Sequence, residues 1–475
     1  MIHGMTVSEA RKTVMSGNGS VARSAGTVAP QAAGWGGTVG LVVILGIAPA
    51  MAAEPPAVVA PDVVTLEQAA QAAVEHYQPF HIAQETLSQL QQQRREALSA
   101  MLPTLTVGGT LTQRTDAQYS TTNAFGSSVP VLLFPRTDET LNFTLMQPLF
   151  TGGKAFGGYK EATALMQAGE QELEQSREEL LLDVATAFYG VLKARKQVEL
   201  YEAEHSRLDE HRRAADARVK VGDATKTVLL RAEAELAGAE AALVRARSDE
   251  LIVREQLALL TGLPFDAALA TPAAQVAPAV SDNVVTDAQL RRPEWLRSRL
   301  QEQAAEQQVR VARAGFFPTL SLQLTYKREA QNPDTVFYVD PDKYAMVQLQ
   351  FPLFEGGLQL AKVREAYSQL RSTSLNTEFL QISIRAEVRN AQRDVKTLAG
   401  VVEQFTAQVA FAKENYELTS RQFTVGLATN LDVLDANSTL LSAEQQLSAA
   451  TFDHDVAVLR LYKSLGRLTD HLLGP

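Results

Sequence analysis

Pro148-Leu149-Phe150-Thr151-Gly152-Gly153 returns in the same chain as Pro352-Leu353-Phe354-Glu355-Gly356-Gly357, 204 residues later. The same offset carries Val221-Gly222-Asp223-Ala224-Thr225 onto Val425-Gly426-Leu427-Ala428-Thr429, and Gly262 onto Gly466. More than 100 residues, 148 to 262 and 352 to 466, therefore match without a gap. Loops accept length changes at small entropic cost, so a gap-free match marks an element whose length matters.

Between these landmarks lie Lys154 to Val221 and Leu358 to Val425, each 68 residues without proline. At a 1.5 Å rise each predicts a helix of roughly 100 Å. In the second copy Val388, Ala391, Val395, Leu398, Val402, Phe405, Val409, Ala412 and Tyr416 recur at alternating spacings of three and four. That is a heptad seam, the pattern of left-handed coiled-coil packing. The first copy keeps it from Val184 through Val191 and Val198 to Leu208, with His205 on the seam as an interhelical polar residue. Shorter helices are expected over 226–260 and 430–465, the first with its own seam of Leu229, Ala232, Leu236, Ala239, Leu243 and Ala246. A long helix, a glycine turn and a return helix make an antiparallel hairpin. A return arm of about 55 Å covers only half of its partner. Helices entering from the N-terminal side, 66–102 and 287–316, are expected to pack the other half. They correspond too: Pro79 falls near Pro293, and Met101-Leu102-Pro103 matches Phe316-Phe317-Pro318.

The segments between entering and long helices differ in kind. Thr104 to Thr112, Leu141 to Leu145, Thr319 to Tyr326 and Val347 to Phe351 alternate polar and apolar residues. They predict four strands of about 9–11 residues in two hairpins, a length that suits a tilted transmembrane strand. Aromatics cluster at their ends: Phe134, Phe150, Phe316, Phe317, Tyr326, Phe337, Tyr338, Tyr344 and Phe354. A membrane-interface girdle has that placement. A soluble β-domain is the alternative, but the polar strand positions are Thr, Ser, Gln and Asn, with little charge.

The expected organisation is a signal peptide over 1–53 and a first repeat over 65–262 (helix 66–102, β-hairpin 103–150, helix hairpin 154–262). A linker over 263–285 follows, then a second repeat over 286–466 (helix 287–316, β-hairpin 317–353, helix hairpin 357–466) and a tail over 467–475. The signal is read from Arg11, Lys12 and Arg23, the apolar run Val39 to Ala48, and Ala50-Met51-Ala52-Ala53. A membrane anchor is the alternative, but the run is short for about 30 Å of hydrocarbon. The chain carries 44 Lys and Arg against 54 Asp and Glu; without the leader its net charge moves from −10 to −12. Such acidity argues against nucleic acid as a partner. The 475 residues hold no cysteine, which excludes thiolate metal sites, disulfides and a lipid-modified cysteine in this sequence. No cofactor or metal is expected, because the seven histidines show no ligand spacing. The glycine-lysine pairs lack a P-loop's Ser or Thr, and no Gly-x-Ser-x-Gly occurs. Nothing points to an enzyme.

Four strands cannot close a barrel, and open edges do not survive in hydrocarbon. Several chains must therefore contribute, and three would supply twelve strands. The repeated Pro-Leu-Phe-x-Gly-Gly, the repeated Val-Gly-x-Ala-Thr, and Thr429-Asn430-Leu431-Asp432-Val433-Leu434-Asp435-Ala436 resemble the TolC-type outer-membrane export channels, over residues 65 to 466. The resemblance implies an α+β membrane protein. Its homotrimer would form a 12-stranded barrel in outer-membrane lipid, four strands per chain, continuous with a periplasmic α-helical coiled-coil barrel. It implies a periplasmic adaptor (membrane fusion) protein as partner, with an inner-membrane ABC transporter or a proton-driven pump. Type I secretion of a protein such as an RTX toxin is the favoured use, because many pump-specific members carry an N-terminal lipoprotein cysteine. Drug or metal efflux is the alternative. A non-conducting coiled-coil structural protein is the reading from another class.

Asp432 and Asp435, three apart, share a helix face, and the resemblance implies an acidic ring at the periplasmic entrance. Their alternative role is to complement the helix dipole and cap free N–H groups. Val221, Gly222, Val425, Gly426 and Leu427 are expected at tips that contact the adaptor; Gly222 and Gly426 also permit positive φ at a tight turn. Pro148, Gly152, Gly153, Pro352, Gly356 and Gly357 are expected at the junction of barrel and tunnel. Some members hold the entrance shut through a tyrosine, an aspartate and an arginine near Phe423, Val228 and Ala428. Their absence here leaves closure to packing.

Overall fold

The computed structural model describes residues 63–124, 127–279, 288, 290–336 and 338–474. The expected signal over 1–53, the end of the linker, Asp287 and Phe337 lie outside the described residues. The elements are α1 (Leu66–His76), α2 (Gln78–Ser99), β1 (Thr104–Gln113), β2 (Gln118–Ala124), β3 (Ser127–Phe134), β4 (Thr137–Phe150), α3 (Lys154–Lys220) and α4 (Lys226–Thr261). Then come α5 (Pro293–Ala314), β5 (Thr319–Asn332), β6 (Asp342–Gln350), α6 (Leu358–Thr424), α7 (Asn430–Ser464) and α8 (Leu468–Leu473).

The entering helix is broken where one helix was expected over 66–102. α1 starts on a capping box between Thr65 and Gln68 and stops at Tyr77, whose backbone is extended. Pro79 sits in the first turn of α2, where a missing N–H costs nothing; inside a continuous helix it would remove a bond. The second segment breaks in the same way: Ala288, Leu290 and Arg291 are helical, Arg292 is extended, and α5 begins on Pro293. The short α1 is thereby free to turn its alanine face, Ala69, Ala70 and Ala73, onto Leu181, Val184, Ala185 and Phe188 of α3. Val456 and Leu459 of α7 and Leu468 and Leu472 of α8 complete that core. Residues 467–475, expected as a tail, thus hold a packed helix.

α3 and α6 have 67 residues each. α4 packs along the half of α3 that ends at Lys220, and α7 along the matching half of α6; α5 packs on both α3 and α6. Heptad positions Val388, Val395 and Ala412 are buried on α6, as are Val184, Val191, Val198 and Leu208 on α3. On α4 Ala232, Ala239 and Ala246, seven apart, are buried, and small residues there let the helices approach closely. His205 faces Glu240 of α4 at 3.5 Å.

The strands form one antiparallel sheet in the order β1-β4-β5-β6. β4 and β5 run to 14 residues each, longer than expected, because each pairs with a neighbour on both sides, while the outer β1 and β6 have 10 and 9. The segment expected as loop between β1 and β4 contains a second hairpin, β2 paired with β3. Periodicity did not mark it: β2 is Gln, Tyr, Ser and Thr, and β3 combines Pro130 with an unbroken apolar run to Phe134.

Candidate functional site

Two regions of the fold carry chemistry: the faces of the sheet and the tips of the helical hairpins. Register assigns the faces. Leu105 pairs with Leu145, Leu145 with Leu324, and Leu324 with Ala345; Val107 pairs with Phe143, and Phe143 with Tyr326. Directly opposed residues share a face, so one face carries an apolar band across these rows, bounded by Lys343 opposite Tyr326, Arg328 opposite Leu141 and Glu139 opposite Leu111. The other face aligns Thr106, Thr144, Thr325 and Tyr344 in one row, and Gly108, Asn142, Lys327 and Asp342 in the next. Among the described residues no helix covers the apolar band. Leu105, Leu111 and Leu349 are 66%, 68% and 67% exposed, whereas a soluble sheet buries such a face against a second layer. The β1 and β6 edges are unpaired among the described residues.

At the foot of the sheet the repeated glycines reverse the chain into the long helices. Gly152 and Gly153 have φ of +64° and +90°, and Gly356 and Gly357 +61° and +85°. Pro148, which cannot donate to the ladder, sits where the β4–β5 register slips; β6 ends at Gln350, before Pro352.

The tips are two copies of one turn. Gly222 N–H donates to Val219 O and Asp223 N–H to Arg218 O; Gly426 N–H donates to Phe423 O and Leu427 N–H to Gln422 O. This is the Schellman closure, with glycine in the left-handed position, φ +80° and +81°. Val221, Val425 and Leu427 project at 78%, 70% and 81% exposure. The copies then diverge. Asp223 is tied back by Arg218 Nε at 2.8 Å, while Leu427 at the matching position is an apolar knob.

Asp432 and Asp435 open α7. The Asp432 carboxylate accepts from Thr429 N–H at 2.8 Å and from Thr429 Oγ1 at 2.7 Å, and Thr429 caps the helix in return. Those bonds hold its carboxyl below the ordinary value. Asp432 is therefore a capping residue as well as an exposed charge. Asp435, a turn on, is exposed, and its carboxylate makes no hydrogen bond among the described residues.

Periodicity missed a cluster behind these tips. His211 and Phe423 are 7% and 4% exposed, with ring centroids 4.8 Å apart. The Arg218 guanidinium lies 4.9 Å from the same ring, and its Nη1 donates to Phe423 O at 3.2 Å. Phe423, expected to mark only a missing contact, is the centre of a cross-hairpin joint. A buried histidine three residues after the seam position Leu208 was the available signal.

Residues 69–263 and 284–467 match the profile of the outer membrane efflux protein family. The chain belongs to that family. It is an outer-membrane channel with a long periplasmic tunnel, and not an enzyme. Among relatives, the alkaline protease secretion protein AprF of Pseudomonas aeruginosa is 26% identical over 325 residues, 67% of each chain. The outer membrane protein TolC of Escherichia coli is 24% identical over 389 residues, 79% of this chain and 76% of its own. Among solved structures, that of the outer membrane protein VceC of Vibrio cholerae superposes with TM-score 0.71 at 22% identity, over 85% of this chain and 96% of its own. That of CusC gives 0.73 at 17%, over 84% and 92%. The fold is thus shared with both of these structures.

Proposed function

We propose that three copies of the chain close a 12-stranded barrel and that the assembly is the outer-membrane duct of a type I protein secretion system. The observation that carries the duct is the bare sheet: an apolar face without a covering layer, a polar face, and two open edges. Lipid satisfies the first, an aqueous lumen the second, and neighbouring copies the third. The helices repeat the demand. α5 is held between α3 and α6, whereas α2 packs on α3 and leaves Ile82 at 67% exposure on its far side. The α6 of the next copy supplies that missing neighbour, a head-to-tail contact that closes a ring.

Threefold repetition sets Asp435 and Asp432 around the entrance, where carboxylates favour cations. Val221, Gly222, Val425, Gly426 and Leu427 present the tips to a periplasmic adaptor, with Leu427 as the apolar contact. Protein secretion with an ABC transporter is supported by AprF, a secretion protein by name, which aligns over 67% of the chain. The efflux proteins BepC and SepC align over 71% and 79%, so the exported material, not the alignment, separates secretion from drug or metal efflux. Deleting the gene tests the reading. The expected result is loss of one or more proteins from the culture medium with unchanged drug and metal tolerance. Unchanged medium with lost tolerance would establish the efflux alternative.

A further inference from the structure

We propose that His211 is a positioning residue of the entrance, a proton-sensitive latch that holds the second helical hairpin against the first. The inference rests on the duct reading for its consequence, but not for the contact itself. α3 runs towards the tips and α7 runs away from them; three side chains of α3 reach α7 in antiparallel order and a fourth reaches the end of α6. Lys193 Nζ donates to Asp453 at 3.0 Å, Arg207 Nε to Asn437 Oδ1 at 2.8 Å, and His211 Nε2–H to Asn430 Oδ1; Arg218 reaches Phe423 O. Lys193 and Asp453 are exposed, but His211 and Asn437 are 7% and 3% accessible. Buried polar groups in a helical interface specify one alignment, because any slip leaves them unpaired. Separating the hairpins at their tips requires breaking these bonds.

His211 is the member whose charge changes near neutral pH. Burial pushes its imidazole below the ordinary value, and the Asn430 bond opposes this only in part. The ring therefore joins the hairpins as the neutral form, which satisfies Asn430 with a single N–H. A second proton would add a donor and a charge beside the Phe423 ring, on which Arg218 already lies. The charged groups on the stretches around it are Arg207, Asp209, Glu210, Arg212, Arg213, Asp216 and Arg218 on α3, and Arg231, Glu233 and Glu235 on α4. On α6 they are Glu417 and Arg421, and on α7 Asp432 and Asp435. None of them is among the groups that shift the imidazole. The sign follows. A histidine with a lowered value in the joined state binds its proton more tightly once the hairpins part. The joint is at full strength above pH about 6.5, and weakens below it by up to tenfold per pH unit until the joined state itself protonates.

The test uses the full chain in detergent and in planar bilayers, at pH 7.5 and pH 5.0. Wild type is expected to raise its open-state occupancy several-fold at pH 5.0 and to lose amide protection over 205–225 and 423–437. His211→Gln keeps a donor for Asn430 without a titrating ring, and is expected to stay at the wild-type pH 7.5 level at both pH values. His211→Ala is expected to be open at both, and Asn430→Ala to behave likewise. Because the chain has no cysteine, a His211→Cys, Asn430→Cys pair adds a check: oxidation should close the channel and reduction should open it. Wild-type conductance and protection that do not change with pH would overturn the latch, as would His211→Gln following the wild-type pH profile. Lost protection at pH 5.0 in a protein that never conducts would uphold the latch and remove the duct.

Discussion

Replacing Gly152 and Gly356 by alanine separates a property of one chain from a property of the ring. Both glycines sit in the left-handed region, at φ +64° and +61°, which costs an alanine about 1–2 kcal/mol. At Gly152 a Cβ would lie 2.7 Å from Ala314 O and 2.8 Å from Phe317 Cβ. Both obstacles are at or next to the main chain and cannot rotate away, so overpacking adds about 1–3 kcal/mol. The total for Gly152→Ala is about 2–5 kcal/mol. At Gly356 nothing among the described residues lies within 4 Å, and a single chain would pay only the backbone strain. The match of Phe316-Phe317-Pro318 to Met101-Leu102-Pro103 places Ser99, the last residue of α2, and Leu102, just beyond it, where Ala314 and Phe317 stand. If the next copy brings its α2 onto α6, those residues fill the space at Gly356. Gly356→Ala should then destabilise the assembly to within about 1 kcal/mol of Gly152→Ala. The assay is thermal dissociation of the detergent-extracted trimer, followed by calorimetry and by gel mobility with and without heating. A Gly356→Ala trimer more stable than Gly152→Ala by the full overpacking cost would refute head-to-tail closure through α2 and α6.

Three further outcomes follow from the geometry. Val107→Lys, on the apolar face, should cost about 2–4 kcal/mol of stability in lipid if it lies near mid-depth, while Thr106→Lys on the polar face should change conductance and leave stability nearly unaltered. Urea titration of membrane-inserted protein with single-channel recording separates the two. Asp435→Asn should reduce cation preference, read as reversal potential in a salt gradient, without moving the melting temperature; Asp432→Asn should lower both, because that carboxylate also caps α7. Glu178, 4% exposed among α3, α5 and α7, has its carboxyl pushed up to about 7 by burial first and by Glu294 and Glu174 next. The folded state thus holds this proton where the unfolded chain, with a carboxyl near 4.5, has lost it. Stability from this group is full below pH about 4.5 and declines as pH rises to about 7, by on the order of 3 kcal/mol. Glu178→Gln should raise the melting temperature at pH 8 and leave it unchanged at pH 4.

What the sequence revealed was whatever repeats or alternates. The long helices were legible because nonpolar residues recur at three and four over nine seam positions from Val388 to Tyr416. The faces of the sheet were legible because Thr and Leu alternate from Thr104 onward. The tip turns were legible from Gly222 and Gly426, since only a left-handed residue closes that turn cheaply. The break at Tyr77 was not read, although Pro79 was in view, because proline is tolerated in a first turn and bends the chain only if a new helix starts there. β2 and β3 carry no period, so pairing alone defines them. The joint at Phe423 was hidden for a different reason. His211 and Arg218 of α3, Phe423 of α6 and Asn430 of α7 lie on three segments brought together by tertiary packing, and no local spacing links residue 211 to residue 430. The same limit applied to Asp432, whose cap is local and readable, and whose proposed place in a ring depends on neighbouring copies.

The central claim is that this sheet and these helices enclose a water-filled path. Purified full-length protein, extracted in detergent and added to a planar lipid bilayer in asymmetric KCl, tests it directly. The account predicts discrete, uniform conductance steps with a reversal potential displaced towards cations. Folded protein recovered as a monomer from the aqueous fraction, or a membrane-inserted trimer that never conducts, would contradict it.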